Sequence, residues 1–438
     1  MNCKKLKADI EGLKSLRDSL RAQLDEMNET MQGDKTGIKK VQKQASELED
    51  QLLEEYLDDF AEKNPELPTK WELGERIEGL KPVFRDAASV WSISAMPDGG
   101  MLVGGYDEVL YEYRQGEDGK WKLGERIRGF ENAKGEATGV CSISVMPDGG
   151  MLLGGGGGAL YEYRQGKDGK WKLGERIEGF KSMGGSAVDV LSLATMSDGG
   201  MLVGGTLGTL YELKKSEDGK WKLGERIEGV QKQDKNGLFI SILSISAMPD
   251  GGMLVGGTSG TLHELRRGEN GEWKLGERIE GFEDKSGNEV DVESISVMPD
   301  GGMLLGGGGG ALYEYRQGKD GEWKLGERVE GFEDANENGD YFSSISAMPD
   351  GGMLVGGLYG ALYEYRKDDY GKWKLGEKIE GLKTEDGHMA NTLSISAMPD
   401  GGMLVGGDGG ALYELRKLPL TVEILKENLD KITNKGDM

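Results

Sequence analysis

The side chains most often used for nucleophilic catalysis and metal binding are scarce in this chain of 438 residues. It has two histidines, His263 and His388, and two cysteines, Cys3 and Cys141. None of the four has a second histidine or cysteine at the short spacing of a metal site, and the cysteines are far apart in sequence. We therefore expect no metal site, no catalytic nucleophile, no cofactor and no disulfide framework built on them.

One segment matches the first half of a calcium-binding loop. Asp334, Asn336 and Asn338 stand at alternate positions, and Gly339 follows them, as such loops require. The twelfth position of these loops carries a glutamate that binds calcium through both oxygens, but here it is Ile345. The pattern therefore favours an ordinary Asn-Gly turn, with calcium binding as the alternative.

Charged pairs that could act as acid and base recur along the chain and are not gathered at one place. Glu125 and Arg126 form such a pair, which returns in nearly every copy of an internal repeat. Catalysis usually needs one asymmetric place where polar residues converge. Because no copy departs from the others in that way, we expect that the protein is not an enzyme.

The secondary-structure elements that carry these residues can be predicted from an internal sequence repeat. A segment like WKLGERIEGF begins at Trp71, Trp121, Trp171, Trp221, Trp273, Trp323 and Trp373, at intervals of 50 residues with one of 52. Each period contains four short strand-like runs separated by turn signals such as Pro147-Asp148-Gly149. A period of this length indicates a repeat fold. Four antiparallel strands per repeat are typical of the blade of a β-propeller.

The two ends of the repeat array predict a closed ring. The first tryptophan strand, Trp71 to Leu80, comes before any copy of the other three strands, and the last copy stops at Lys417 without a tryptophan strand. If Trp71 to Leu80 completes the blade that begins at Leu393, the ring closes and two exposed sheet edges disappear. An open solenoid would need atypical end repeats, which the sequence lacks.

The region from Thr69 to Lys417 therefore resembles the seven-bladed β-propeller superfamily. The glycine doublet that ends at Gly105, the tyrosines Tyr111 and Tyr113, and Trp121 follow the order of the kelch repeat. Propellers of the WD-repeat type are the other comparison, although neither the Gly-His nor the Trp-Asp dipeptide of those repeats occurs. The near-identity of the copies resembles that of recently amplified propellers. The resemblance implies an all-β propeller domain over residues 69–417.

Residues 1–62 predict a second unit, which is helical. Leu6, Leu13, Leu20 and Met27 recur every seven residues, as in a coiled coil. The segment Gly33 to Gly37 interrupts this pattern, which favours a helical hairpin over one long helix. A packed helix pair and homo-oligomerisation remain alternatives for this unit. Residues 418–438 predict a short C-terminal helix, at about 422–432, and a tail.

The charge and hydropathy of the chain bear on its partners and location. The formal net charge is −24 and the sequence pI is about 4.7. This charge repels phosphate backbones and anionic lipids, so we expect neither nucleic acid nor a membrane as partner. No secretory signal pattern begins the chain, and no run of roughly 20 apolar residues could span a bilayer. We expect a cytoplasmic protein.

The copies differ from one another almost entirely on one side of the predicted disc. The near-invariant MPDGG and EDGK turns lie on one side, which we call the plain face. The connections from the second to the third strand, and from the fourth strand to the next blade, lie on the other, which we call the variable face. The residues of that face that we predict to bind a partner are Phe84, Arg85, Trp91, Tyr106, Asp107, Leu207, Leu238, Phe239, Tyr341, Phe342, Tyr359, His388 and Met389.

Large apolar and aromatic side chains in these loops are unfavourable for solubility and typical of interfaces. The sequence therefore favours a recognition or scaffold protein that binds a macromolecule, with a protein as the expected partner. A lectin-like propeller with one glycan site per blade is the first alternative, and it would use the repeated residues. A propeller lyase or hydrolase is the second alternative. Random drift in unconstrained loops would explain their variability but not their large side chains.

Overall fold

The structure is a computed structural model that describes residues 69–80, 89–105, 109–146, 148–230, 234, 237, 239–330, 341–348, 350–360 and 362–419. Three predictions lie outside these residues: the helical unit at 1–62, the C-terminal helix at 422–432, and the calcium-loop segment at 334–339. Within the described residues, Trp71–Lys417 forms one compact unit. It consists of 28 strands in seven four-stranded sheets.

The first four blades follow one another along the chain. Blade 1 contains β2 (Val90–Ala95), β3 (Met101–Gly105), β4 (Leu110–Gln115) and β5 (Trp121–Ile127). Blade 2 contains β6 (Val140–Val145), β7 (Met151–Gly155), β8 (Ala159–Gln165) and β9 (Trp171–Arg176). Blade 3 contains β10 (Val190–Thr195), β11 (Met201–Gly205), β12 (Thr209–Lys215) and β13 (Trp221–Arg226). Blade 4 contains β14 (Ile242–Ala247), β15 (Met253–Gly257), β16 (Leu262–Arg267) and β17 (Trp273–Arg278).

The last blade takes its fourth strand from the start of the described chain. Blade 5 contains β18 (Val292–Val297), β19 (Met303–Gly307), β20 (Leu312–Gln317) and β21 (Trp323–Arg328). Blade 6 contains β22 (Phe342–Ala347), β23 (Met353–Gly357), β24 (Leu362–Lys367) and β25 (Trp373–Lys378). Blade 7 contains β26 (Thr392–Ala397), β27 (Met403–Gly407), β28 (Leu412–Pro419) and β1 (Thr69–Leu73). Single 3-10 turns follow the second strands at Gly156–Gly158, Gly308–Gly310 and Leu358–Gly360.

The pairing of β1 with β28 closes the propeller, as the sequence predicts. Beyond β1, the N–H of Gly74 donates to the carbonyl of Glu414 at 2.9 Å, and the N–H of Ile77 donates to that of Leu412 at 2.8 Å. The first strands of all seven blades contact their neighbours in a closed ring, including β2 with β26. The prediction of a closed seven-bladed propeller is therefore confirmed.

The second strand of every blade has the sequence MLVGG or MLLGG, and all of its residues are buried. A strand between two neighbouring blades meets protein on both faces, which explains its continuous apolar run. The two glycines are required by close approach. A Cβ added to Gly104 would lie 2.6 Å from Cβ of Val140 in the next blade, and one added to Gly105 would lie 1.9 Å from the carbonyl oxygen of Ser89.

The first strands are also linked by serine hydroxyl groups. A serine of one blade accepts a hydrogen bond from an isoleucine N–H of the next blade. The donor and acceptor pairs are Ile143 and Ser92 (3.0 Å), Ile295 and Ser244 (2.8 Å), Ile345 and Ser294 (3.0 Å), Ile395 and Ser344 (3.0 Å), and Ile93 and Ser394 (3.1 Å). The repeated serine is therefore used for its hydroxyl group as well as its small size, in a structural role.

Candidate partner-binding face

The connections between blades differ in sequence, but four of them share one backbone structure. Each is a small hairpin closed by an isolated β-bridge, and the bridged pairs are Glu131 with Ala137, Lys181 with Ala187, Glu283 with Glu289, and Lys383 with Met389. A glycine with positive φ turns each hairpin, for example Gly135 at 76°. A buried residue such as Phe130 anchors the base. These four connections of the variable face are thus similar hairpins with different side chains.

A second group of residues lies in the turns between the second and third strands. The middle residue of these turns has a left-handed backbone: φ is 58° at Gly157, 60° at Leu207, 55° at Ser259, 60° at Gly309, 56° at Tyr359 and 59° at Gly409. Glycine adopts this conformation readily, whereas leucine and tyrosine rarely do. Three blades therefore carry a side chain where three others have glycine.

Tyr359 and Met389 form an exposed apolar patch on blade 6 and the connection that follows it. The Tyr359 side chain is 72% exposed and that of Met389 is 50% exposed. The backbone N–H of Tyr359 donates to Oδ1 of Asn391 at 2.7 Å, which holds the turn against the next connection. Cε of Met389 lies 2.6 Å from where a Cβ on Gly360 would stand. His388, in the same hairpin, is exposed.

Leu207 and Phe239 form a second apolar patch at blade 3. The N–H of Gly208 donates to the carbonyl of Ile240 at 2.8 Å, which brings the Leu207 turn beside the connection that contains Phe239. The Phe239 side chain is 62% exposed, whereas Leu207 is half-buried against the blade core. The longer connection after Trp221 therefore presents an aromatic ring to solvent.

The structure separates the predicted site residues into three groups. Trp91 is 37% exposed, and Tyr341 is half-buried and donates its hydroxyl hydrogen to Glu293. Phe342 is fully buried in the blade core, so its prediction as a contact residue is wrong. Its position as the first residue of β22 corresponds to Val90, which is buried as well. The remaining predicted residues, Phe84, Arg85, Tyr106, Asp107 and Leu238, lie outside the described part of the chain.

A ring of β-bulges is a feature of this face that the sequence alone did not predict. In each first strand the register shifts at the second residue, and the residues at that position are Trp91, Cys141, Leu191, Leu243, Glu293, Ser343 and Leu393. Bulges redirect side chains and are frequent at functional sites. A sequence pattern could have revealed these bulges, because the bulged position varies between blades whereas the residue on each side of it is nearly constant.

Ion pairs connect neighbouring blades at several of the constant turns of the plain face. In blades 2, 5 and 6 the aspartate of the MPDGG turn pairs with a cation of its own blade and with one of the next blade. Asp148, for example, contacts Arg164 at 2.7 Å and also Lys215. Burial alone would raise the pKa of the Asp148 carboxyl, but hydrogen bonds from Lys215 and Arg164 lower it to about 2. The turn is therefore a joint between blades as well as a hairpin.

The repeated tryptophan takes part in the same joints. Nε1 of Trp171 donates to Oδ2 of Asp98 in the preceding blade at 2.8 Å. Where the third strand ends in a cation, that cation lies over the tryptophan ring, as Arg267 does at 4.5 Å from the centroid of Trp273. Such contacts add cation–π attraction to the ion pair. These contacts give the repeated tryptophan and its acidic partner a structural use between blades.

Burial shifts the pKa values of two side chains, Cys141 and His263. Burial, and secondarily the charge of Asp189, raises the pKa of the Cys141 thiol to about 12, whereas a reactive cysteine needs a lowered pKa. Burial also lowers the pKa of His263, whose Nδ1 lies 3.1 Å from the carbonyl oxygen of Gly276. The described residues contain no group of three or more His, Cys, Asp or Glu side chains arranged to hold a metal ion.

In the part of the chain that the structure describes, no helix is both long and apolar enough to cross a membrane.

Comparison with known proteins identifies the fold and no closer relationship. No protein-family profile matches the chain, and no curated protein sequence matches it. Among solved structures, the one described as "Streptogramin B lyase structure" is 12% identical with a TM-score of 0.54, and the alignment covers 80% of this chain and 98% of that chain. The structure described as "Crystal structure of RRP9 WD40 repeats" is 12% identical with a TM-score of 0.56, covering 78% and 99%. The chain is thus a β-propeller that resembles both a lyase and a WD40-repeat protein in fold alone.

Proposed function

We propose that this chain is a non-enzymatic recognition protein that binds a protein partner through the variable face of its propeller. The observation that carries the proposal is Tyr359, whose exposed aromatic side chain stands on a left-handed backbone. The same turn has glycine in three other blades, so a residue without strain fits this turn in the same protein. A side chain that remains at such a position supports a role in contact.

The energetic cost of the left-handed backbone at Tyr359 supports the proposal. A left-handed backbone costs a non-glycine residue about 1–2 kcal/mol. Leu207 recovers part of that cost because it packs against its blade core. Tyr359 has far less to gain from its own fold because its side chain is 72% exposed. Aromatic side chains anchor protein interfaces more often than other residues, so a partner would supply the missing contacts.

The expected partner follows from the charge of the whole chain. A net charge of −24 disfavours nucleic acid and anionic membranes and leaves a protein as the preferred partner. We include a cytoplasmic location in the proposal. The segment 1–62 would add oligomerisation or tethering, which would multiply weak contacts through effective concentration.

The test compares the partners recovered by three versions of the full-length protein. In the uniform-face variant, residues 181–187, 283–289 and 383–389 are replaced by the sequence of 131–137, which has the same length and the same bridged hairpin. This variant also carries Leu207→Gly and Tyr359→Gly. The matched control is Tyr370→Asp, which removes a 90% exposed tyrosine of the plain face. We expect a protein that the wild type and the control recover and the uniform-face variant does not. Equal recovery by all three would refute the proposal.

A lectin-like function is the second candidate, and one observation favours it. A cleft of about 520 Å³ lies between blades 2 and 3, lined by residues that include Glu175, Arg176, Lys220, Trp221 and Leu223. Most of these residue types recur in each blade, as repeated glycan sites would require. A glycan array would distinguish the two functions, because the uniform-face variant keeps this cleft. A glycan bound equally by the wild type and that variant would favour the lectin.

A further inference from the structure

Glu293 is the acidic member of the ring of bulged residues on the variable face. It lies in β18 at the register shift between Val292 and Ser294. The corresponding residues of the adjacent blades are Leu243 and Ser343. Its carboxylate is half-buried and accepts a hydrogen bond from the hydroxyl of Tyr341 in the next blade. A carboxylate has therefore been placed where three other blades carry leucine.

This carboxylate has no cationic partner among the described residues. Its interactions are the hydrogen bond from Tyr341 and the repulsion from Asp291. The partly buried acids of the plain face differ in this respect. Glu314 contacts Lys367 at 2.9 Å and also pairs with Arg316. Burial of an ionised carboxylate costs desolvation free energy. At Glu293 no nearby positive charge offsets that cost, and a second acid lies close by.

The surrounding ring is also free of basic side chains in its sequence. The residue before each first strand and the first two residues of that strand include Asp189, Asp291 and Glu293 but no lysine or arginine; these segments are 89–91, 139–141, 189–191, 241–243, 291–293, 341–343 and 391–393. Two of these acids already serve the fold. Asp189 accepts from the N–H of Gly157 and Asp291 from that of Ser259, each at 2.7 Å. No backbone N–H of the described residues donates to Glu293, whose hydrogen-bond donor is the Tyr341 hydroxyl, so its charge has no equivalent structural use there.

We propose that Glu293 is the counter-charge for a lysine or arginine side chain of the protein partner, which docks at the ring of bulged residues. The inference rests on the proposed function and adds the chemistry that the partner must carry. The Tyr341 hydroxyl would hold the carboxylate in place for a charge-assisted hydrogen bond. The neighbouring Leu243 would contact the apolar stem of the basic side chain.

The test uses peptides as probes of the full-length protein. Twelve-residue peptides are selected by phage display against the wild type, and those that fail to bind the uniform-face variant or fail to bind Glu293→Leu are synthesised. Each is made again with every lysine and arginine replaced in turn by glutamine. Both versions are measured against the wild type and Glu293→Leu, which completes a double-mutant cycle. Leucine is native at this register in blades 3, 4 and 7, so the variant should fold. Leu191→Ser, which installs the residue of blade 6 in blade 3, is the control.

We expect one basic position in the peptides whose replacement and Glu293→Leu each weaken binding by about tenfold to a hundredfold, with no further loss when combined. The control should bind all peptides as the wild type does. Losses that simply add would overturn the inference and leave the proposed function intact. Binding through Glu293 that is abolished by chelating divalent ions would overturn it in favour of a metal site. If no selected peptide depends on the variable face, the proposed function fails as well.

Discussion

The backbone N–H of Tyr359 donates a 2.7 Å hydrogen bond to Oδ1 of Asn391, which belongs to the connection leading into the next blade. The same bond occurs between Gly157 and Asp189 and between Ser259 and Asp291. Three blades therefore hold this turn in the same way, and the residue in it can change without loss of the bond. Tyr359 is the most exposed of the described non-glycine residues in these turns, and it sits beside Met389.

Tyr359→Gly should weaken partner binding without lowering the free energy of unfolding. Glycine removes the strain of the left-handed backbone, although it also gains entropy in the unfolded chain. We expect the free energy of unfolding to stay the same or rise by up to about 1 kcal/mol. Binding to the recovered partner should weaken by about tenfold, as for a typical interface aromatic. Denaturant titration and calorimetry would measure the two effects. A variant that loses stability and keeps its affinity would show that Tyr359 serves the fold.

Asp148→Asn should weaken the joint between blades 2 and 3 in a pH-dependent way. Asparagine keeps the acceptor for the N–H of Gly150 but removes the charge that pairs with Arg164 and Lys215. We expect a loss of about 1 kcal/mol at pH 7, after allowing for solvent screening of partly exposed pairs. Since the folded pKa is lowered, this stability is present above the ordinary value of 3.8 and disappears as the pH falls to about 2.

The control for that experiment is Asp118→Asn, because Asp118 pairs with Lys122 of its own blade. Urea titrations of both variants between pH 2 and pH 7 would measure the difference. A similar loss in the two variants at pH 7 would mean that the pairing between blades adds nothing to that within a blade.

Glu293→Leu should change stability in the direction opposite to that of Asp148→Asn. Burial, together with the nearby charge of Asp291, raises the pKa of Glu293 above its ordinary value of 4.5, although the hydrogen bond from Tyr341 opposes this. A raised carboxyl pKa means that the folded state loses stability as the pH rises through the interval between the ordinary and the raised value. The variant should therefore gain stability relative to the wild type as the pH rises from below 4.5 to 7. A difference in unfolding temperature between the two proteins that is the same at both pH values would contradict this.

Trp71→Ala tests whether the closing strand β1 contributes as much to the free energy of unfolding as the fourth strand of another blade. Trp71 is 4% exposed in blade 7, and Trp171 is 8% exposed at the same position in blade 2. We expect both alanine variants to lose about 3–5 kcal/mol, since a large buried aromatic side chain is removed in each. Parallel denaturant titrations of the two would give the comparison. A much smaller loss for Trp71→Ala would indicate that the ring does not depend on β1 for closure.

The fold could be predicted from the sequence because the seven copies of the repeat can be compared with one another. The tryptophan period predicted the blades, and the misplaced strand at Trp71 predicted the closure with β28. The contact surface was harder to predict because exposure depends on register. Phe342 looks like a loop residue in sequence, yet it is the buried first residue of β22. The left-handed turn at Tyr359 could have been suspected, since glycine stands there in sister blades.

The joints between blades could not be predicted from the sequence at all. The constant aspartate of the MPDGG turn suggested a hairpin, which it forms, as in Gly99 N–H to the Met96 carbonyl at 3.0 Å. Its second role depends on a cation of the following blade, such as Lys215 for Asp148. These residues are 67 positions apart, and only the packing of adjacent blades brings them together.

The central claim is that a protein partner binds the variable face, and hydrogen–deuterium exchange on the purified complex tests it most directly. Exchange is compared between the free full-length protein and its complex with the recovered partner. The account predicts protection in the hairpins at 131–137, 181–187, 283–289 and 383–389, or in the turns at Leu207 and Tyr359, with unchanged exchange in plain-face turns such as 96–100. Protection confined to the plain-face turns or to the outer strands would contradict the account.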